Sequence, residues 1–154
     1  MLRIWASPAT AQPRARTFNM TMRDAVKNAD VVASTLPINS IHAKVLIDSG
    51  ATKSFISNDF AVKLQCGIEF LKEALSIEIA NHDRVVVNQI CPRYEVDILG
   101  HCFYADLIPF KLWEFDVILG MDWLSKYNTN IDCKNKKVKL RTLDKKEVIF
   151  KGQK

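Results

Sequence analysis

The stretch Val45-Leu46-Ile47-Asp48-Ser49-Gly50-Ala51-Thr52 decides how the rest of the chain is read. Three apolar residues of the kind that fill buried strands run straight into an acid, a hydroxyl and a glycine. A carboxylate at the end of a buried strand is costly unless something pairs with it. Ser49 offers a donor, and Gly50 lets the chain turn sharply or admits another group close to the backbone. The stretch therefore reads as a loop that holds one carboxylate, Asp48, rigidly at a strand end. The bland alternative is a turn or capping acid in some other β-protein. A later run, Val117-Ile118-Leu119-Gly120, is built the same way, as an apolar strand stopped by glycine.

Composition limits what this loop can belong to. A length of 154 residues with 48% hydrophobic content suits one packed domain. No apolar run approaches the roughly twenty residues that span a bilayer, and the first residues lack a secretory core. The expectation is a soluble, cytoplasmic protein with no membrane partner. Cys66, Cys91, Cys102 and Cys133 lie 25, 11 and 31 residues apart, with no C-x-x-C pair and no His at ligand spacing. Free thiols are expected, and neither a metal nor another cofactor. His42, His82 and His101 form no constellation with a Ser or Cys nucleophile, which disfavours those protease chemistries.

The formal charge of +5 is unevenly spread. From Cys133 onward nine Lys and Arg face only Asp144 and Glu147, so the preceding 132 residues carry a net −2. A nucleic-acid patch would explain such a tail. Lys137, Lys139 and Arg141, however, alternate with Val138 and Leu140, as the wet face of a half-buried strand does. Nucleic acid is therefore not the expected partner.

Residues 1–31 read as a linker, rich in Ala, Thr, Pro and Arg, with a short helix possible over Met22 to Val31; a transit peptide is the less favoured reading. Residues 32–152 read as the domain and 153–154 as a tail. Val32 to Ile38 and Ile41 to Ile47 form a hairpin around Asn39-Ser40 that delivers Asp48. Ser57-Asn58-Asp59 suits a helix start, Ile56, Phe60 and Leu64 recur every four residues, and Gly67 stands where a C-cap glycine would. Ala74 to Ala80 and Arg84 to Val87 read as a hairpin whose polar tip is Asn81-His82-Asp83. Tyr94 to Ile98 and Phe103 to Ile108 read as another. A short helix over Met121 to Tyr127 and three short terminal strands complete a closed, mostly antiparallel β domain.

Taken together, Asp48 to Thr52, the following Lys53-Ser54-Phe55-Ile56-Ser57, the strand Ile118-Leu119-Gly120 and the following Met121-Asp122-Trp123-Leu124 resemble the retropepsin-type aspartic proteases. The similarity is greatest to the protease of gypsy-type LTR retrotransposon gag-pol polyproteins and covers roughly Ala33 to Gly152. It implies a closed antiparallel β-barrel of the retropepsin type with one or two short helices and one lobe per chain. It also implies that Asp48 is the catalytic acid, that Ser49 bonds across a dimer, and that Gly50, Ala51, Thr52, Ile118, Leu119 and Gly120 support the loop. The hairpin tip Asn81, His82 and Asp83 would be the flap over substrate, although the family usually places glycine near that tip. An ordinary solvent hairpin is the alternative there.

Peptide hydrolysis by carboxylates needs two acids that share one proton, and this chain has a single such loop. The resemblance thus implies a homodimer in which two copies of Asp48 form one site, acting on a polyprotein in the cytoplasm or inside virus-like particles. Asp122, at a helix start, reads as a structural acid, and Asp116, before an apolar strand, as a solvent-facing or dimer-adjacent one. Two other readings stay open. One is an inactive or domesticated retropepsin-fold module for dimerisation or association with nucleic acid, and the other a domain of the ubiquitin-shuttle type.

Overall fold

The computed structural model of the protein describes residues 16–17, 31–79 and 84–152. Among these residues eleven strands and two helices follow in the order β1 (Arg16–Thr17), β2 (Val31–Ile38), β3 (Ile41–Asp48), β4 (Phe55–Ser57), α1 (Asn58–Lys63), β5 (Glu69–Ile79), β6 (Arg84–Ile98), β7 (His101–Phe110), β8 (Val117–Leu119), α2 (Met121–Lys126), β9 (Asn130–Asp132), β10 (Lys137–Arg141) and β11 (Glu147–Lys151). The strands form one sheet in the order β1-β5-β6-β2-β3-β8-β4-β7 and a smaller one in the order β11-β10-β9. A further pairing of β6 with β7 closes the large sheet on itself.

Most pairings are antiparallel, and two of the exceptions hold the centre. β3 lies parallel to β8, and β4 lies parallel to β7. Apolar content explains why these strands sit inside. Val45, Leu46, Ile47, Val117 and Leu119 are fully shielded from solvent, as are Phe55 and Ile56. Each such side chain contributes roughly 1.5–3 kcal/mol of transfer free energy. The turns obey their own chemistry. Asn39 and Ser40 both take positive φ between β2 and β3, as a two-residue hairpin turn requires, and Leu99 and Gly100 do the same between β6 and β7.

β6 joins two segments that the sequence suggests as separate strands. At Cys91-Pro92-Arg93 the register shifts, proline contributes no N–H, and Arg93 takes φ 56. N-terminal to this bulge β6 pairs with β5; from Cys91 onward it pairs with β7.

Helix α1 starts as expected, with the Ser57 hydroxyl accepting a bond from Phe60 N at 3.0 Å. It ends earlier than the expected Gly67 cap. Leu64 is the C-cap and Gln65 carries the left-handed φ of 53, so a polar residue serves where glycine was expected. The free-thiol expectation also fails for one pair, because Cys66 and Cys91 are disulfide-bonded across a Cα separation of 6.1 Å. Spacing did not reveal this, since the β6 bulge brings Cys91 against the end of α1. Cys102 is a free, exposed thiol.

In β10, Val138 and Leu140 are buried while Lys137, Lys139 and Arg141 face solvent, and β11 repeats the pattern. The basic tail is therefore a wet sheet face. The possible helix over Met22 to Val31 falls outside the described residues, except that Val31 is the first residue of β2. The nominal linker contributes β1, whose Arg16 and Thr17 pair parallel with Glu78 and Ile79 of β5.

Candidate active site

Strand β3 ends in Asp48, and the chain turns at once, with Ala51 N donating to Asp48 O at 3.2 Å. The side chain is 1% exposed. Gly50 N donates to its Oδ1 at 2.8 Å, which gives the buried carboxylate the polar partner it needs. A Cβ at position 50 would stand 3.1 Å from that same oxygen, so glycine here lets the backbone approach the acid. Ser49 and Gly50 are half-buried at the turn, while Ala51 is wholly buried.

The loop is clasped from behind by the end of β8 and the start of α2. Val45, Leu46 and Ile47 pair with Val117, Ile118 and Leu119, which brings Gly120 against the turn. Met121 N donates to Ala51 O at 2.6 Å, and Asp122 N donates to Thr52 O at 3.2 Å. Gly120 is required by space and not by dihedral angle. A Cβ there would lie 2.2 Å from Lys53 O and 2.6 Å from Ala51 O. Ile118, Leu119 and Gly120 thus lie beside the loop region, and Thr52 is held there through its carbonyl. The Thr52 hydroxyl is buried with no hydrogen-bond partner.

Ser54 completes the clasp, a role the sequence reading did not give it. Its hydroxyl accepts from Gly120 N at 3.0 Å and donates to Asp122 Oδ1 at 2.7 Å. The available signal was a serine placed directly before the apolar pair Phe55-Ile56, where a buried polar group must find partners. Asp122 Oδ1 also accepts from Trp123 N at 2.8 Å, which places the acid as a brace at the start of α2. Burial pushes the Asp122 carboxyl above its ordinary range, against the opposing pull of the Ser54 hydrogen bond and of Lys53. Asp116 braces too, its Oδ2 accepting from Lys44 N at 2.8 Å. Neither acid is hydrogen-bonded to Asp48 in these contacts.

α2 is held in turn by aromatic packing. The rings of Phe103, Trp123 and Tyr127 meet at centroid distances of 4.9 to 6.1 Å, and Tyr127 OH accepts from Tyr104 N at 2.7 Å. On β5, buried Leu75 and Ile77 share an apolar cluster with Leu46, Ala51, Phe55 and Ile118. The hairpin of β5 and β6 therefore packs into the same apolar cluster as the Asp48 loop. Its tip, Asn81, His82 and Asp83, lies outside the described residues. A cleft of about 470 Å3 opens beside the loop between Lys53, Leu75, Tyr104, Asp122 and Trp123, and Asp48 does not line it. Among the described residues no three His, Cys, Asp or Glu side chains are grouped to hold a metal ion, and no helix is long and apolar enough to cross a membrane.

Comparison with known proteins agrees with this architecture. The chain is similar in fold to the retroviral protease-like domain of Ddi1 from Leishmania major, with a TM-score of 0.61 and 16% identity over 80% of this chain and 94% of that one. No curated protein matches it in sequence. The family model described as retroviral aspartyl protease matches residues 12–146, which span the Asp48 loop, the hairpin above it and the Gly120 clasp. The chain thus belongs to the retroviral aspartyl protease family.

Proposed function

We propose that this protein is an aspartic endopeptidase, active as a homodimer in which Asp48 of each chain forms half of one site. Its substrate on this reading is the polyprotein of a gypsy-type LTR retrotransposon. The observation that carries the proposal is the buried carboxylate of Asp48, held at the end of β3 by Gly50 N and clasped from behind by Gly120. In the proposed reaction one carboxylate takes a proton from a water molecule that attacks the peptide carbonyl, while the other, protonated, donates to the carbonyl oxygen. Among the described residues, Asp116 accepts from Lys44 N and Asp122 is tied to Ser54 and Trp123 N, so both serve as braces on this reading. A second copy of the chain is the natural source of the other acid.

The test uses the purified protein and an unstructured polypeptide substrate. Asp48→Asn keeps the volume and an acceptor oxygen but removes the ionisable group, so activity should fall by at least about a hundredfold with the fold retained. Specific activity should also fall on dilution, and excess Asp48→Asn chains should poison the wild type through mixed dimers. Undiminished activity in Asp48→Asn would overturn the assignment of the acid. Activity that is independent of concentration and immune to poisoning would overturn the shared site. A wild-type dimer with no peptidase activity would favour the reading as a retropepsin-fold dimerisation module.

A further inference from the structure

The Cys66–Cys91 bridge sits at a mechanical joint. Glu69 to Ile79 and Arg84 to Ile90 form the hairpin that shares an apolar cluster with the Asp48 loop, and they leave the body where β6 changes partner from β5 to β7. Cys91 is the residue at that change, pairing with Leu107 just before the Pro92-Arg93 bulge. Opposite it, β5 shifts register between Phe70 and Leu75, so both strands are irregular at the base of the hairpin. Cys66 stands on the body side, fixed to the end of α1 by Cys66 N donating to Ala61 O at 3.0 Å. The bridge therefore ties the base of the hairpin, where β6 enters the body, to the end of α1. Asp48 is 1% exposed, and Leu75 and Ile77 of the hairpin share an apolar cluster with Ala51 of its loop, so motion of the hairpin bears on access to the acid.

We propose that Cys66–Cys91 is a thiol–disulfide switch that sets how freely the β5–β6 hairpin lifts from the Asp48 loop, with the bridged form the restrained one. The effect on catalysis rests on the peptidase reading above; the effect on hairpin motion does not. The bridge is open to attack on one side. Cys91 is fully buried, whereas Cys66 is half-buried at a groove of about 250 Å3 between Asn58, Gln65, Ile68, Gln89 and Pro109. A dithiol reductant attacks Cys66 Sγ as a thiolate, the Cys66–Cys91 bond breaks, and Cys91 leaves as a thiolate that takes up a proton. The reductant's second thiol then attacks the mixed disulfide and releases Cys66. Two electrons and two protons pass to the protein, and the dithiol becomes a disulfide. The reverse step needs a disulfide oxidant such as oxidised glutathione.

The experiment compares full-length protein equilibrated with oxidised glutathione or with dithiothreitol, in a Cys102→Ser, Cys133→Ser background that removes the cysteines outside the bridge. Alkylation and mass measurement give the state of the pair. Amide hydrogen exchange in Glu69 to Ile79 and Arg84 to Ile90 should be about tenfold faster after reduction, with Val31 to Asp48 unchanged. The kcat/KM on a polypeptide substrate should rise severalfold in parallel. Cys66→Ala, which leaves the buried Cys91 in place, should behave as the reduced protein in both buffers. Equal exchange in the two states, or a pair that stays reduced in oxidised glutathione, overturns the switch. Faster exchange with no peptidase activity in either state supports the hairpin switch and overturns the peptidase reading.

Discussion

Gly120→Ala is the sharpest probe of the clasp behind the Asp48 loop. The φ of Gly120 is −103, which alanine accepts, so any damage must come from contact. The added methyl would meet Lys53 O at 2.2 Å, Ala51 O at 2.6 Å and Lys53 C at 2.8 Å. Backbone carbonyls cannot rotate away as a side chain can, so the loop and the start of α2 must separate by about an ångström to reach ordinary contact. Overpacking of this kind costs about 1–3 kcal/mol. The separation also stretches Met121 N to Ala51 O and Asp122 N to Thr52 O, each worth about 1 kcal/mol. The sum is a loss of about 3–5 kcal/mol, large against the stability of a small domain. Equilibrium urea unfolding reads it directly, with Gly67→Ala as a control, since nothing lies within 4 Å of a Cβ at position 67. A Gly120→Ala protein within about 0.5 kcal/mol of wild type, with the control equally silent, would refute the argument that steric closeness holds the loop.

Ser54→Ala should destabilise by about 2–4 kcal/mol in the same assay, because it leaves Gly120 N and a buried Asp122 oxygen short of a partner; a change below about 0.5 kcal/mol counts against the clasp. Asp122→Asn keeps the Oδ1 acceptor and removes the buried charge. Because burial raises the Asp122 carboxyl above its ordinary value of 3.8, wild type loses stability relative to the variant as pH rises through the raised value. The variant should therefore be the more stable at neutral pH, with the gap closing below pH 3.8, and a gap that ignores pH would contradict the burial argument. Tyr127→Phe should cost about 1–2 kcal/mol by removing the acceptor of Tyr104 N, and wild-type stability in that variant would show the bond to be incidental.

Local signals carried far into this fold. The alternation of Val138 and Leu140 with lysines, the Ser57 cap and the Asn39-Ser40 turn each act within a few residues, and each appears where the pattern placed it. The apolar runs ending at Asp48 and Gly120 likewise became the buried parallel pair β3 and β8. What sequence patterns missed is set by long-range geometry. The expected strands stop at Val87 and resume at Tyr94, yet one strand runs through, with a bulge at Pro92 and Arg93. The disulfide follows from that bulge and leaves no trace in cysteine spacing. Ser54 was legible only as a residue type, since its partners Gly120 and Asp122 lie 66 and 68 positions away.

Those separations bear on how the molecule comes into being. Contacts between residues so far apart form slowly, because the intervening chain must be closed into a loop before they give any return in stability. Strand β3 can pair with β2 as soon as both exist, but the parallel pairing with β8 and the Gly120 contact cannot arise until residues 117–122 have been synthesised. A nascent chain that has emerged only through β7 carries Asp48 without its brace. The acid is made early and its setting late, so the timing of translation itself keeps the loop unfinished until nearly the whole domain has left the ribosome.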